Sequence, residues 1–324
     1  MSRLRIAVVG AGVFGRHHMR VIHQSPNAEL AAVVDPDTAR AVEAAAPYGC
    51  PVLSDARELG GRADAAVVAV PTVAHAAIGV GLMRAGMDVL VEKPIASDLE
   101  GAQALVETAR ECGRVLQVGH LERFNPAVAA MRAELTVPLF FEIHRLSLFT
   151  PRSLDVDVVL DLMIHDLDLV LSLTGAMPEE IRAAGISILS ERVDIANVRL
   201  AFANGCIANL TASRVSTEKV RKLRLFQPNE YLSIDYARQD GVAVSVNAQK
   251  QVGFRPLAVA KDEPLRLEIE SFIECAARRG RPVVTGEDAA RALEVALAIQ
   301  RQMEEHRRVV AKTLAASTPA ARTP

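Results

Sequence analysis

The chain has no tryptophan, only four cysteines and almost no excess of one charge, with 37 basic side chains against 39 acidic ones for a net charge of −2. Balanced charge excludes the polycationic surface that holds phosphate backbones nonspecifically, so no nucleic-acid partner is expected. Cys50, Cys112, Cys206 and Cys275 lie far apart, with no CxxC pair and no His/Cys cluster at zinc spacing. Reduced thiols are therefore expected, and neither a metal site nor a disulfide framework.

Long apolar runs are equally scarce. Ala65 to Met83 carries no charged side chain and matches a bilayer span in length, but Pro71, Thr72, His75, Gly79 and Gly81 interrupt it. It reads as a buried strand, a turn and a helix. Ser2 to Arg5 lead straight into the strand-like run Ile6 to Val9, which leaves no room for a secretory signal, so a cytoplasmic protein is expected. No internal repeat and no long linker occur.

What is present is length for two cores: 324 residues, at roughly 100 to 200 per domain. The fold class expected is α/β. From Leu4 to His120, apolar runs at Ile6–Val9, Leu30–Val34, Ala65–Val70, Asp88–Val91 and Val115–Val118 alternate with helical stretches, the pattern of a doubly wound parallel sheet. After His120 the order changes to a helix near Pro126–Leu135, a strand at Leu139–Ser147, a helix from Asp155 to Thr174, and a run of strands. Those strands, near Ile181–Leu189, Ile195–Ala203, Cys206–Ser213, Lys222–Phe226 and Tyr231–Asp235, predict a mainly antiparallel sheet in an α+β domain. Closing helices follow at Pro264–Arg279 and Gly286–Val310. The expected division is 1–120, 121–314, and a disordered tail at 315–324.

Gly10-Ala-Gly12-Val13-Phe14-Gly15 follows the first strand and opens a helix, the context that makes a glycine pattern a dinucleotide fingerprint. Asp35 ends the second strand 35 − 15 = 20 residues on, where a carboxylate takes the adenosine ribose hydroxyls and repels a 2′-phosphate. NAD is thus the expected cofactor, with Arg40 the one residue nearby that favours NADP. Lys93, in Glu92-Lys93-Pro94 at the end of the fourth strand, stands at the carboxyl edge where ligands bind. Asp157, Asp161, His165, Asp168 and Ser172 form one polar stripe on an otherwise apolar helix. Carboxylates one turn from His165 on either side orient it and favour its protonated form, as a general base requires.

Gly10-x-Gly12-x-x-Gly15, Glu92-Lys93-Pro94 and Asp161-x-x-x-His165, in this order, resemble the Gfo/Idh/MocA family of glucose-fructose oxidoreductase and inositol dehydrogenase. Pro71-Thr72 with His75, and the segment from Glu270, extend the resemblance over nearly the whole chain. The resemblance implies a Rossmann domain followed by a domain whose open sheet makes a homodimer or homotetramer, and NAD(P)-dependent oxidation of a sugar or cyclitol hydroxyl. Gly119-His120-Leu-Glu-Arg123-Phe-Asn125-Pro126 and the segment Asp157–Asp168 are similar to its nucleotide-sugar branch, in particular enzymes acting at carbon 3 of UDP-N-acetylglucosamine in lipid A synthesis.

On that resemblance the catalytic residues are Lys93, Asp161 and His165, with the acid/base role open between Lys93 and His165. The cofactor residues are Gly10, Gly12, Val13, Phe14, Gly15, Asp35, Pro71, Thr72, His75, Glu92 and Lys93. His120, Arg123, Asn125 and Arg152 join Lys93, Asp161 and His165 at the substrate. Arg123, Arg145, Arg152, Arg214 and Lys219 are candidate cations for a UDP diphosphate. Two other readings remain: a free-sugar or inositol-type dehydrogenase, and a non-catalytic regulator like the family's repressor of galactose metabolism. Lys93, Asp161 and His165 argue against the regulator.

Overall fold

A computed structural model describes residues 3–149 and 156–317. The first sheet is built from β1 (Leu4–Val9), β2 (Ala28–Val34), β3 (Val52–Leu53), β4 (Ala65–Val68), β5 (Asp88–Glu92) and β6 (Leu116–Gly119). All its pairings are parallel and its order is β3-β2-β1-β4-β5-β6. The helices α1 (Val13–Gln24), α2 (Thr38–Ala45), α3 (His75–Arg84) and α4 (Leu99–Glu111) connect its strands. Ile6, Val8, Val67 and Leu90 are fully buried, which is why these strands read as continuous apolar runs. The run from Ala65 to Met83 is the expected strand, turn and helix, and no described helix is long and apolar enough to cross a membrane.

Then come α5 (Pro126–Ala133), β7 (Phe140–Leu148), a π-helical turn (Val159–Met163) that runs into α6 (Ile164–Thr174), and β8 (Glu180–Ile186), β9 (Ile195–Ala201), β10 (Ile207–Ser216), β11 (Val220–Gln227), β12 (Glu230–Asp235), β13 (Asp240–Val246) and β14 (Val252–Pro256). These strands form one eight-stranded sheet, order β14-β13-β12-β11-β7-β10-β9-β8, antiparallel except where β7 meets β10. Along β7 the residues alternate, with Phe141, Ile143 and Arg145 buried and Phe140, Glu142 and His144 half-buried on the opposite face. Two helices close the chain, α7 (Pro264–Arg278) and α8 (Gly286–Ser317). The expected tail begins inside α8, and its remainder lies outside the described residues.

The chain divides into two compact units, Met1–Pro126 with Ala260–Leu293, and Ala127–Val259 with Glu294–Pro324. A single cut at His120 therefore misplaces α7. Ile269, Phe272, Ile273 and Cys275 enter the same core as Ile6, Val8, Met19 and Ile22, so α7 covers the parallel sheet despite its distance in sequence. All four cysteines are free thiols.

Candidate active site

The order of the parallel sheet reverses between β1 and β4, and ligands of open α/β sheets bind where that happens. The turn after β1 and the loop after β4 are joined there, since the Ala69 N–H donates to Val9 O at 2.8 Å. Gly10 has φ +103°, and a Cβ on it would lie 2.3 Å from Ala69 O. A Cβ on Gly15 would lie 1.8 Å from Gly10 O. The protein's own packing thus requires both glycines. A Cβ on Gly12 would meet nothing within 4 Å, so the space in front of Gly12 opens outward.

Helix α1 begins at that opening with no side-chain cap and no acidic residue in its first turn. Val13 and Phe14 are 59% and 60% exposed. Uncapped N–H groups and the positive end of the helix dipole fit the diphosphate of a dinucleotide.

Asp35 is buried and accepts hydrogen bonds from the N–H groups of Ala11 (2.8 Å) and Asp37 (2.9 Å) and from the Arg40 guanidinium (2.7 and 3.2 Å). Burial pushes its pKa up, but the Arg40 and backbone hydrogen bonds outweigh that and hold it below the ordinary carboxylate value. Asp35 is therefore ionised, as a ribose-binding carboxylate must be.

Around Lys93 the structure refines the expected assignments. Lys93 is half-buried at the end of β5, next to a cis peptide bond to Pro94. Pro71 is exposed and Thr72 half-buried, but His75 is 1% exposed, with Nδ1 2.9 Å from Pro94 O and Nε2 2.9 Å from Val70 O. Its ring clamps the loop after β4 to the Lys93–Pro94 turn instead of facing outward. Glu92, also counted with the cofactor residues, turns inward, and His18 Nε2 donates to its Oε1 at 2.7 Å.

His120 is 1% exposed and Asn125 3%. Asn125 Nδ2 donates to Glu122 Oε2 at 3.1 Å, and Arg123 lies 3.8 Å from Asp288. His120 and Asn125 are thus buried, and Arg123 is half-buried.

In the second unit the expected polar stripe is broken up. Asp157 Oδ1 accepts the Val159 and Leu160 N–H groups and its Oδ2 meets Gln300 Nε2, so it serves as a helix cap. Ser172 meets Arg132, and Asp168 is 1% exposed. Asp161 and His165 are half-buried. The π-helical turn at Val159–Met163 shifts Asp157 and Asp161 out of regular spacing with His165, Asp168 and Ser172, which stay on the regular helix α6.

Asp166, the apparent misfit on the apolar face, pairs with Arg145 at 2.7 and 2.8 Å and accepts from Tyr236 Oη at 3.3 Å. Arg145 is therefore structural and not a diphosphate ligand. Arg214 is likewise occupied, donating to Val156 O and Val193 O. Lys219 is exposed, and Arg152 lies outside the described residues. Sequence reasoning passed over His18 and Glu268 entirely. No motif carries them, and only the packing of α1 and α7 brings them to Glu92.

The sequence matches the oxidoreductase family with an NAD-binding Rossmann fold over residues 4–120, and the GFO/IDH/MocA C-terminal domain over residues 128–227. The chain belongs to the Gfo/Idh/MocA family. It is 37% identical over 315 residues to UDP-N-acetylglucosamine 3-dehydrogenase from Acidithiobacillus ferrooxidans, covering 94% of this chain and 98% of that protein. A solved structure of that dehydrogenase superposes with a TM-score of 0.89 at 36% identity, covering 94% of this chain and 99% of that one. Inositol 2-dehydrogenase from Rhizobium meliloti is 27% identical, covering 94% and 98%. This Gfo/Idh/MocA protein is thus an NAD-dependent dehydrogenase, and the Gly12 opening, the bare start of α1 and ionised Asp35 are the residues that fit its cofactor.

Proposed function

We propose that this chain oxidises the C3 hydroxyl of UDP-N-acetylglucosamine to a ketone. The observation that carries this reading is the likeness to the Acidithiobacillus enzyme, which covers 94% of this chain and 98% of that protein. NAD supplies the hydride acceptor. His165 removes the hydroxyl proton, Asp161 orients the imidazole, and Lys93 hydrogen-bonds the same oxygen and stabilises the charge developing on it. Pro71, Thr72, Val13 and Phe14 border the cofactor, and His120, Arg123 and Asn125 the substrate side.

The product is a 3-keto nucleotide sugar, which an aminotransferase converts to a 2,3-diamino sugar for lipid A. The enzyme works in the cytoplasm, as a homodimer or homotetramer joined through the face of the large sheet that carries Phe140, Glu142 and His144. The inositol-type reading is favoured by relatives such as the Rhizobium inositol 2-dehydrogenase, at the lower identity of 27%.

NADH formation across a panel of UDP-sugars and free polyols decides between them. The proposal expects turnover with UDP-N-acetylglucosamine and none with myo-inositol. Turnover with myo-inositol and indifference to every UDP-sugar would overturn it.

A further inference from the structure

Behind the Lys93 turn lies a closed group of three side chains. His18 of α1 is fully buried, Glu268 of α7 is 1% exposed, and Glu92 ends β5. One side-chain atom of each lies within 4.8 Å of the other two. Glu92 is well supplied with donors: His18 Nε2 reaches Oε1 at 2.7 Å and the Lys93 backbone N–H reaches Oε2 at 3.2 Å. Gly119 makes room for it, since a Cβ there would lie 3.1 Å from Glu92 Oε2. Glu268 makes no hydrogen bond at either oxygen in the structure, so a bond to Glu92 requires the two carboxyl groups, already within 4.8 Å, to draw together.

A histidine and two carboxylates are also a metal-ligand set. The 2.7 Å separation of His18 and Glu92 is instead a direct hydrogen bond, since two ligands of a tetrahedral ion stand about 3.3 Å apart.

A buried carboxylate with no donor is the costly state, whereas a carboxylic acid beside a carboxylate has a ready acceptor. We propose that Glu268 is a positioning residue for Lys93: it keeps its proton, donates it as a hydrogen bond to Glu92, and so fixes the carboxylate that holds the Lys93 turn. Four groups then converge on one element. His18 and Glu268 grip Glu92 from two helices, Glu92 holds the Lys93 backbone, and His75 ties Pro94 from the other side. Burial first, and then the charge of Glu92, push Glu268 well above the ordinary carboxyl value, in keeping with this arrangement. The titratable groups facing it are His18 from α1 and Glu92 from β5, with Lys93, just after β5, acting on Glu92, while β6 contributes the neutral Gln117, whose Nε2 donates to Glu268 O.

The inference rests on Lys93 acting in catalysis, so its test separates the two claims. Infrared difference spectra of wild type minus Glu268→Gln at neutral pH should show the carbonyl stretch of a protonated carboxylic acid. Absence of that band would overturn the proposal without reference to activity, and it holds even where other variants fail to fold. In turnover, Glu268→Leu should lower kcat at least about tenfold with little change in substrate KM, while Glu268→Gln retains most of it. In a Lys93→Ala background, Glu268→Leu should cost nothing further, because the two changes act through one group. Equal loss from Glu268→Gln and Glu268→Leu, or a full additional loss in the Lys93→Ala background, would also overturn it. If Lys93→Ala alone keeps full turnover, the catalytic reading of Lys93 fails, while the infrared result still decides the state of Glu268.

Discussion

At the scale of single residues, the proposed chemistry rests on Lys93, Asp161 and His165, and cofactor choice is assigned by the same proposal to Asp35. A positioned acid or base contributes about 10²–10⁴-fold to a rate, so Lys93→Ala and His165→Ala should each lower kcat within that range, and His165→Ala should leave NAD binding intact. Near-full turnover in both, measured with UDP-N-acetylglucosamine, would remove them from the mechanism. Asp35 restrains Arg40, whose side chain is 48% exposed. Asp35→Asn removes the charge that repels a 2′-phosphate and frees a guanidinium to bind one. The preference for NAD over NADP in kcat/KM should fall by at least about tenfold, or 1.4 kcal/mol. An unchanged preference would assign cofactor choice to other residues.

At the scale of elements, two glycines in one turn do different jobs. Gly15→Ala drives a Cβ into the rigid Gly10 carbonyl and should cost about 3 kcal/mol of stability or more, read by denaturant unfolding. Gly12→Ala meets only open space, so the unliganded protein should melt near the wild-type temperature while NAD affinity falls. A destabilised Gly12→Ala protein with normal NAD affinity would contradict this division.

The same contrast explains what was legible in the sequence. Strands buried on both faces announce themselves as apolar runs, and β1, β2, β4, β5 and β6 were all visible. β3 is two residues long, and β14 is exposed at every position, so neither carries a hydrophobic pattern. The π-helical turn has no sequence signature, and it offsets Asp157 and Asp161 from the regular spacing of His165, Asp168 and Ser172 on α6. The glycine turn and Lys93 were legible because local motifs carry them. His18 and Glu268 were not, because only tertiary packing joins residues so far apart.

At the scale of the whole molecule, the near-zero net charge conceals buried charge that ties stability to pH. Below about pH 4.3 Glu268 is protonated in both the folded and unfolded chain and adds no pH dependence. Above it the unfolded chain releases this proton and the native protein keeps it, so the native state binds more protons and stability falls as pH rises toward the raised native pKa. Glu92 acts in the opposite sense. Burial raises its pKa, but the stronger pull of His18 and Lys93 leaves it lowered, so its contribution is present above about pH 4.3 and lost as pH falls through the native value. Replacing Glu268 with glutamine removes only the first dependence. The melting temperature of Glu268→Gln relative to wild type should therefore rise between about pH 5 and pH 8, and parallel profiles would contradict a protonated Glu268.

The account as a whole comes down to where one hydrogen goes. UDP-N-acetylglucosamine carrying deuterium at C3, incubated with the protein and NAD, should pass its deuterium to the reduced cofactor and form the 3-keto sugar, both read by mass spectrometry. Deuterium that stays on the sugar while NADH forms from another substrate would show that the protein oxidises something else.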